Sequence, residues 1–539
     1  MMSVLLFGNV FTKTERWRMK KLVARFGKAV KGVLTGFDRI VFKGTILPLA
    51  YEEGAMSFLR WRGVLNRDYK QWMQAQTQAL ITDVDRYVQE QCAHPIVKLS
   101  TWRHDKEQLA RKRQAKTGIE AGLIGAWSCL EGCWSYRACY CAEKGYPQLH
   151  RYRTQCKHLY LYFDHTDYGW MSVRLQTWFP YHIQIALNGR EWLRRRLEAR
   201  GVDFLRQGNK FLHIEDYAVA QRFLNRQLDR RWPHLLNSFL PMAFPTMHQT
   251  LGPHLSYYWT LWQSEWATDL VMDTPVELTA TMTSILRHAW ITGNSANVLR
   301  YLGRPLTAAD RPHGRCANEV MSRVLDFHDG LRVRHWVDHN SVKAYNEQNV
   351  LRIETTINMP EMFKVYRRAQ GQTHTARKKL RPLRKGVADI PLRAQVSQEV
   401  NDRLMDELST FTNNTPMSEM LAPHVRARTK DGRRVRALDI SGKDRELLKA
   451  ISDPAFTVSG ISNAALRQKL CSTNWGAART DKQLSARVSR HLRLLRHHGL
   501  IRKLPNRHRY HLTERGRQLT TALNAMLSAS TEQLLDMAA

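Results

Sequence analysis

The sequence predicts a multidomain α+β protein: an antiparallel-sheet core with packed helices, followed by a small C-terminal domain of helices and one β-hairpin. Three observations predict it. At 539 residues the chain exceeds one ordinary core, so roughly two to four domains are expected. Segments of period-two alternation are interspersed with helical segments over 151–365, the pattern of a sheet covered by helices. From about 441 the apolar spacing becomes helical, with clear start and stop signals.

In chain order, 1–150 reads as a mixed, largely helical region. "ERWRMKKLVARFGKAVKGVL" is basic and amphipathic, and "FDRIVFKGTILPLA" reads as a strand with Asp38 at its start. Helical patterning runs from about Met56 to Cys92. A charged stretch follows over 103–117, and "AGLIGAWSCLEGCWSY" is a buried apolar run enclosing Glu131. Within the core, "HLYLYFDHTDYGWMSVRLQTW" is a hairpin with Leu159 and Leu161 on one face of its first strand and Met171, Val173 and Leu175 on one face of its second. "YHIQIAL" gives another strand, "NGREWLRRRLEARG" a helix from Asn188 to Gly201, "VDFLRQGNKFLHIED" a second hairpin and "YAVAQRFLNRQLDRRW" a second helix. Residues 253–303 read as helical, with "HLSYYWTLWQSEWATDLVM" as aromatic core. The basic, proline-interrupted stretch 366–440 reads as a linker or arm, whose Arg377, Lys378, Lys379, Arg381, Arg384 and Lys385 would touch nucleic acid.

The last domain, 441–539, is the most legible. "KDRELLKAISD" and "SNAALRQKL" are helices, the second capped by Ser462. In "TDKQLSARVSRHLRLLRHHG", Leu484, Val488, Leu492 and Leu495 form an inward stripe. Lys482, Ser485, Arg487, Ser489, Arg490 and Arg493 lie on the other side, suited to phosphates and base edges. "LIRKLPNRHRYHLTERG" then makes two strands tipped by Arg507, His508 and Arg509, and "RQLTTALNAMLSAS" a closing helix. Helix, helix, recognition helix and basic wing is the winged helix-turn-helix order. The segment resembles the DNA-binding domain of MarR-type winged-helix regulators, and the whole chain resembles a bacterial winged-helix-containing family that brings no activity with it.

The stretch "HNSVKAYNEQNVLRIETTIN" reads as a hairpin looping at 346–349, which opposes Tyr345 to Val350, Lys343 to Arg352 and Ser341 to Glu354. Val342, Ala344, Leu351 and Ile353 then face the core. With the preceding strand, Arg334, Trp336, Lys343, Tyr345, Arg352 and Glu354 would share an open basic and aromatic face for single-stranded nucleic acid. Opposed Lys343 and Arg352 would cost a few tenths to ~1 kcal/mol unless an anion relieves them. "KAYNEQNVLRIETTIN" also resembles the "Y-D-K … L-R-x-E" strands of plasmid and phage replication-initiation proteins. That resemblance implies Tyr345 and Glu354 as catalytic residues, although Asn346 and Glu347 depart from the D-K pair.

Charge sets the function classes. With 83 Lys and Arg against 48 Asp and Glu, the net charge is 83 − 48 = +35, which points to a polyanion partner. DNA is the expected partner and RNA the alternative; a homo-oligomer stays open. No apolar run is long enough to span a bilayer, and the opening residues lack the secretory pattern, so a cytoplasmic protein is expected. P-loop, "GxGxxG" and "HExxH" motifs are missing, which disfavours ATP-driven, dinucleotide-dependent and zincin chemistry. A metal-dependent nuclease could gather Glu354, Asp38, Glu131 and Asp164 around Mg²⁺, with Glu354, Tyr345 and Asp38 catalytic. Among eight cysteines, Cys133 and Cys156 with His158 are candidate zinc ligands, though no C-x2-C knuckles occur. The expected function is a DNA-binding protein of a mobile or plasmid-like element that nicks or transfers strands. A non-catalytic transcriptional regulator and an RNA-binding ribonucleoprotein component are the alternatives.

Overall fold

The computed structural model describes residues 29–92, 94–247, 251–252, 255–276, 278–279, 295–304, 320–327, 330–369, 371–373, 375–409, 416–430, 433–453, 456, 460–477, 479–504 and 508–532. The chain divides into two compact units. The first comprises 1–279, 325–332 and 339–402, and the second 280–324, 333–338 and 403–539.

The first unit is built on strands β1 (Val30–Thr45), β2 (Val97–Lys98), β3 (Gly122–Cys141), β4 (Tyr146–His165), β5 (Gly169–Gln176), β6 (Ile183–Asn188), β7 (Phe204–Gln207), β8 (Lys210–Ile214) and β9 (Tyr258–Met272). The next two, β10 (Val320–Phe327) and β11 (Gly330–Val337), are divided between the units, and β12 (Asn340–Glu347) and β13 (Val350–Ile357) belong to the first. Its main sheet runs β12-β13-β9-β1-β6-β5-β4-β3-β2, antiparallel except for β2 against β3; β7 and β8 form a separate hairpin.

The hairpin 158–176 has the expected alternation, with Leu159 opposite Leu175 and Leu161 opposite Val173, all buried. Helices α1 (Glu52–Trp61) and α2 (Tyr69–Cys92) cover the helical patterning read from Met56 to Cys92, and the charged stretch 103–117 holds helix α3 (Lys106–Thr117). Among its described residues the N-terminal region is mixed: α1 to α3 alternate with β1 and β3, which are 16 and 20 residues long. The Glu131 run is a strand, and Asp38 sits in the middle of β1. The segment 1–28 holds most of the basic amphipathic stretch and lies outside the described residues.

Two further expectations are corrected. The aromatic segment 258–272 is a strand, not a helix: Trp266, Thr268 and Leu270 alternate with Glu265, Ala267 and Asp269 across the two faces of β9. A strand paired on both sides is apolar enough to imitate a buried helix. The 366–440 stretch is also not one linker. It contains the hairpin β14 (Lys364–Arg367) and β15 (Lys379–Pro382), and the 20-residue helix Ile390–Ser409. Up to Asp402 that helix belongs to the first unit and buries polar side chains, which hid it from a hydrophobicity reading. Gln398 accepts from Trp266 Nε1 at 2.7 Å, and Asn401 donates to the Ile353 carbonyl at 3.1 Å and accepts from Thr355 Oγ1 at 2.7 Å.

Helix α4 (Gly189–Glu198) starts where the sequence places it, with the Asn188 side chain accepting from the Arg190 and Glu191 amides. Helix α5 (Tyr217–Arg226) is capped likewise by Asp216. Both pack on the sheet face opposite Ile390–Ser409, around Leu34, Leu193, Leu197 and Leu224. A Cβ on Gly189 would fall 2.3 Å from the Phe37 carbonyl, so only glycine lets α4 begin this close to β1.

In the second unit, after a short hairpin of β16 (Arg428–Lys430) and β17 (Arg433–Val435), come helices α6 (Arg445–Ile451), α7 (Asn463–Leu470) and α8 (Asp481–His497). The hairpin of β18 (Ile501–Lys503) and β19 (Tyr510–Leu512) and helix α9 (Glu514–Ser528) follow. Ser462 Oγ caps α7, and Thr480 with Gln483 forms a capping box on α8. Leu484, Val488, Leu492 and Leu495 enter one core with Leu447, Leu466, Leu500 and Leu519. Among the described residues, no helix is long and apolar enough to cross a membrane.

Candidate functional site

The site lies on the α4 and α5 face of the first unit, where β1, β9, β13 and β12 run side by side. Antiparallel pairing sets residues directly opposite one another on one face. One row is Leu34, Asp269, Arg352 and Tyr345, and the next is Gly36, Ala267, Glu354 and Lys343. Beyond them β1 is bulged. Phe37 opposes Trp266 but Ile40 opposes Ser264, so Asp38 and Arg39 together face Glu265. A bulge of this kind re-aims a side chain. Here it turns Asp38 onto the face that carries Glu265 and Glu354, and each of the three offers an oxygen within 4.8 Å of the others.

The hairpin register differs from the sequence reading. Lys343 opposes Glu354 and Tyr345 opposes Arg352, so no like charges meet; the turn takes only Gln348 and Asn349. Gln348 adopts φ 51, the left-handed conformation a two-residue turn requires, which the absence of glycine had concealed. The face is not open either: Arg352 and Glu354 are each only 1% exposed, and β13 is buried along its whole length. Arg352 is bound on three sides. It grips Asp269 through Nε and Nη2 at 2.5 and 2.8 Å, reaches Asp38 Oδ2 with Nη1 at 2.8 Å, and donates to the Asn209 carbonyl at 2.8 Å. Arg190, 0% exposed, approaches Asp269 from α4 at 3.1 Å.

Glu354 takes Lys343 Nζ at 2.7 Å on Oε1 and the Tyr345 hydroxyl at 3.0 Å on Oε2. The ammonium lies off the direction of a good hydrogen bond to Oε1, and the contact is an ion pair. The turn between β7 and β8 closes over the site: Asn209 donates to Asp38 Oδ1 at 2.7 Å, and Lys210 pairs with Glu347.

Electrostatics divides these groups. Burial, with repulsion from Glu354 and Asp38, pushes Glu265 up to about 7 against the pull of Lys343 and Arg39. Burial also raises Asp38, outweighing its attraction to Arg352. Burial would raise Asp269 too, but Arg352 and Arg190 hold it below the usual carboxylate range. Tyr345 is pushed well above the usual phenol range by burial and by Glu354 beside it. Its hydroxyl therefore stays protonated as a donor to Glu354, which does not suit it to attack as a phenolate.

The other candidates are placed as follows. Glu131 and Asp164 do not join the cluster: Glu131 binds Arg174 at 2.6 Å and Tyr160, while Asp164 binds Arg195 and Gln114. Both lie on strands at the far side of β6, beyond carboxylate reach of Asp38. Cys156 Sγ is 3.9 Å from His158 Nδ1, but Cys133, Cys156 and His158 do not assemble as a zinc set. Among the described residues, only Asp38, Glu265 and Glu354 gather three ligand atoms. Arg334 and Trp336 lie in the second unit, with the guanidinium 4.6 Å from the indole centroid. Arg377, Lys378 and Lys379 are exposed, whereas Arg384 grips Asp389 at 2.6 and 3.0 Å and Lys385 lies 3.5 Å from Glu361. Arg381 is half-buried on β15.

On α8, Lys482, Arg490 and Arg493 are exposed. Arg487 stacks 4.1 Å from the ring of Trp475 in the loop between α7 and α8, and Ser485 and Ser489 hydrogen-bond Asn463 and so tie α7 to α8. His508 and Arg509 are exposed beside the β18–β19 hairpin, and Arg507 lies outside the described residues.

Sequence reasoning missed Glu265, Asp269, Arg190 and Asn209. A strand reading of "WQSEWATD" would have put Glu265 and Asp269 on one face. An arginine in the first turn of α4 runs against the helix dipole, a sign that a carboxylate waits there. No protein-family model, no curated protein and no solved structure matches the chain.

Proposed function

We propose that the protein binds DNA and cuts or transfers a strand in its first unit, using a divalent cation held by Asp38, Glu265 and Glu354. The observation that carries this reading is their convergence: residues 38, 265 and 354 come from three neighbouring strands onto one buried face. The donor set is all oxygen, the preference of Mg²⁺. Crowded anions that push Glu265 up to about 7 are what a cation would relieve. When bound there, such a cation supplies Lewis acidity toward a phosphodiester oxygen.

The chain's own groups do the rest. Arg352 fixes Asp38 and Asp269, and Tyr345 orients Glu354 by its hydroxyl. DNA is delivered by the second unit, whose helices α6 to α9 and β18–β19 hairpin we read as a winged helix presenting Lys482, Arg490 and Arg493. The net charge of +35 supports a polyanion partner.

The test is nicking of supercoiled plasmid with Mg²⁺ or Mn²⁺. Glu354→Gln and Glu265→Gln should abolish nicking while leaving duplex binding intact. Absence of nicking by the wild type across both metals would leave a non-catalytic DNA-binding regulator. Arg490→Ala with Arg493→Ala should make the salt dependence of duplex binding shallower by ~1.8 in log–log slope, at ~0.9 per phosphate contact.

A further inference from the structure

A second feature of the first unit is a cavity of about 190 Å³ at the other end of β1, lined by Lys43, Trp134, Ser135, Tyr136, Arg151 and His182 among others. Its charge is of one sign. Among the described residues, no carboxylate forms an ion pair with Lys43 or with the Arg151 guanidinium. Burial and the neighbouring Arg151, Arg174 and Lys385 all lower the Lys43 ammonium; Arg174 is paired with Glu131 and Lys385 with Glu361, which leaves Lys43 and Arg151 as the crowded pair without a carboxylate. Burial, Lys43 and Arg151 bring His182 down to about 3, and its Nδ1 is buried with no hydrogen-bond partner. Glu52 and Glu53 act on Tyr136, and Glu52 is already engaged with His150 and the Arg151 backbone amide.

Two indoles flank this pocket and stay in solvent. Trp134 is 47% exposed with the Arg151 guanidinium 4.8 Å from its ring, and Trp262 is 43% exposed with Lys43 at 5.0 Å and Lys385 at 5.6 Å. Exposed indoles beside the cations Lys43 and Arg151 suit a ligand that is both planar and anionic. Beyond the Asp38 bulge the parity of β1 places Val41 and Lys43 on the face of Asp38, with Ile40 and Phe42 in the core behind. Lys43 is five steps along the strand from Asp38, roughly 16 Å at ~3.3 Å per residue.

We infer that the pocket of Lys43, Arg151 and His182 is a subsite for single-stranded nucleic acid, taking a backbone phosphate between the cations while bases stack on Trp134 and Trp262. This rests on the reading that the first unit handles a nucleic-acid strand, and it adds where the strand runs: along β1, away from the carboxylates.

The experiment is fluorescence anisotropy of the full-length protein with fluorescein-labelled (dT)12 and (rU)12 in EDTA, where no metal-dependent step occurs. Trp134→Ala and Trp262→Ala should each weaken binding roughly tenfold, and Trp262→Phe should restore most of it. Lys43→Gln with Arg151→Gln should make the salt slope shallower by ~1.4, at ~0.7 per contact for single strands. Tighter binding of (dT)12 than (rU)12 assigns the site to DNA, and the reverse to RNA; either supports the subsite. Wild-type affinity and slope in all the variants, or no binding of either oligonucleotide by the wild type, would overturn it. Nicking is scored separately, so a failed cleavage reaction with these binding effects intact removes the proposed chemistry and keeps the subsite.

Discussion

Glu131 and Glu265 are both carboxylates within the sheet of the first unit, and their surroundings treat them in opposite ways. Glu131 has Arg174 at 2.6 Å, Lys106 at 3.4 Å and the Tyr160 hydroxyl as partners. These outweigh burial and hold it down to about 2. Glu265 faces Glu354 and Asp38, and burial with their repulsion lifts it to about 7. A compensated carboxylate is a structural tie, whereas a crowded one is a place prepared for a cation or a proton. That difference separates Glu131 from Asp38, with which sequence reasoning grouped it; Asp164 is ion-paired with Arg195 and lies outside the cluster, although burial still raises it.

The largest effect should come from the group that keeps the crowded site folded. Arg352 compensates Asp38 and Asp269 with almost no solvent contact. Arg352→Ala would strand two buried carboxylates and should cost ~3–5 kcal/mol. Urea unfolding would show this as a lower midpoint with an unchanged slope. A loss under ~1 kcal/mol would mean that water reaches the site freely and the carboxylates are not crowded at all.

The next pair sets the two glutamates against each other through pH. Glu131 is lowered, so below about 2 both folded and unfolded chains hold its proton. Between about 2 and 4.5 the unfolded chain binds more protons and stability rises with pH, and above 4.5 the contribution is complete. Glu265 is raised, so the sign reverses: between 4.5 and about 7 the folded chain binds more protons and stability falls as pH rises. Each shift corresponds to ~3.4 kcal/mol at most. Glu131→Gln should therefore destabilise the protein at pH 8 and remove the acid-side slope. Glu265→Gln should stabilise the metal-free protein at pH 8 and abolish its thermal stabilisation by Mn²⁺. Thermal melts across pH in EDTA and in Mn²⁺ read both, and equal signs for the two variants would erase the distinction.

How much of this was legible in the sequence follows from the same contrast. The hairpin of Leu159 and Val173, the Asn188 cap of α4 and the α8 stripe from Leu484 to Leu495 were readable because each is a local pattern of spacing and capping. Asp38 and Glu354 were picked from residue type, yet their meeting depends on strands 316 residues apart in sequence and on one extra residue in β1. Glu265 was hidden because a strand paired on both sides carries too many apolar residues to show its alternation. The Ile390–Ser409 helix was hidden for the converse reason, since it turns Arg393, Gln398 and Asn401 inward to bond the sheet. Local regularity survives in a sequence; register and bulges, which decide which charges meet, do not.

The smallest effect separates Tyr345 from the chemistry. Its hydroxyl donates to Glu354 at 3.0 Å, and burial keeps it protonated. Tyr345→Phe removes that donor while Lys343 still faces Glu354, which should cost ~1 kcal/mol of stability. Nicking should persist at a reduced rate, and no protein–DNA covalent adduct should form in the wild type on denaturing gels. A tyrosine that attacked the phosphodiester would give the opposite pattern, with the adduct present in the wild type and both adduct and nicking abolished in Tyr345→Phe. The variant thus decides whether the carboxylate cluster acts with a tyrosine nucleophile or through Glu354 oriented by a neighbouring hydroxyl.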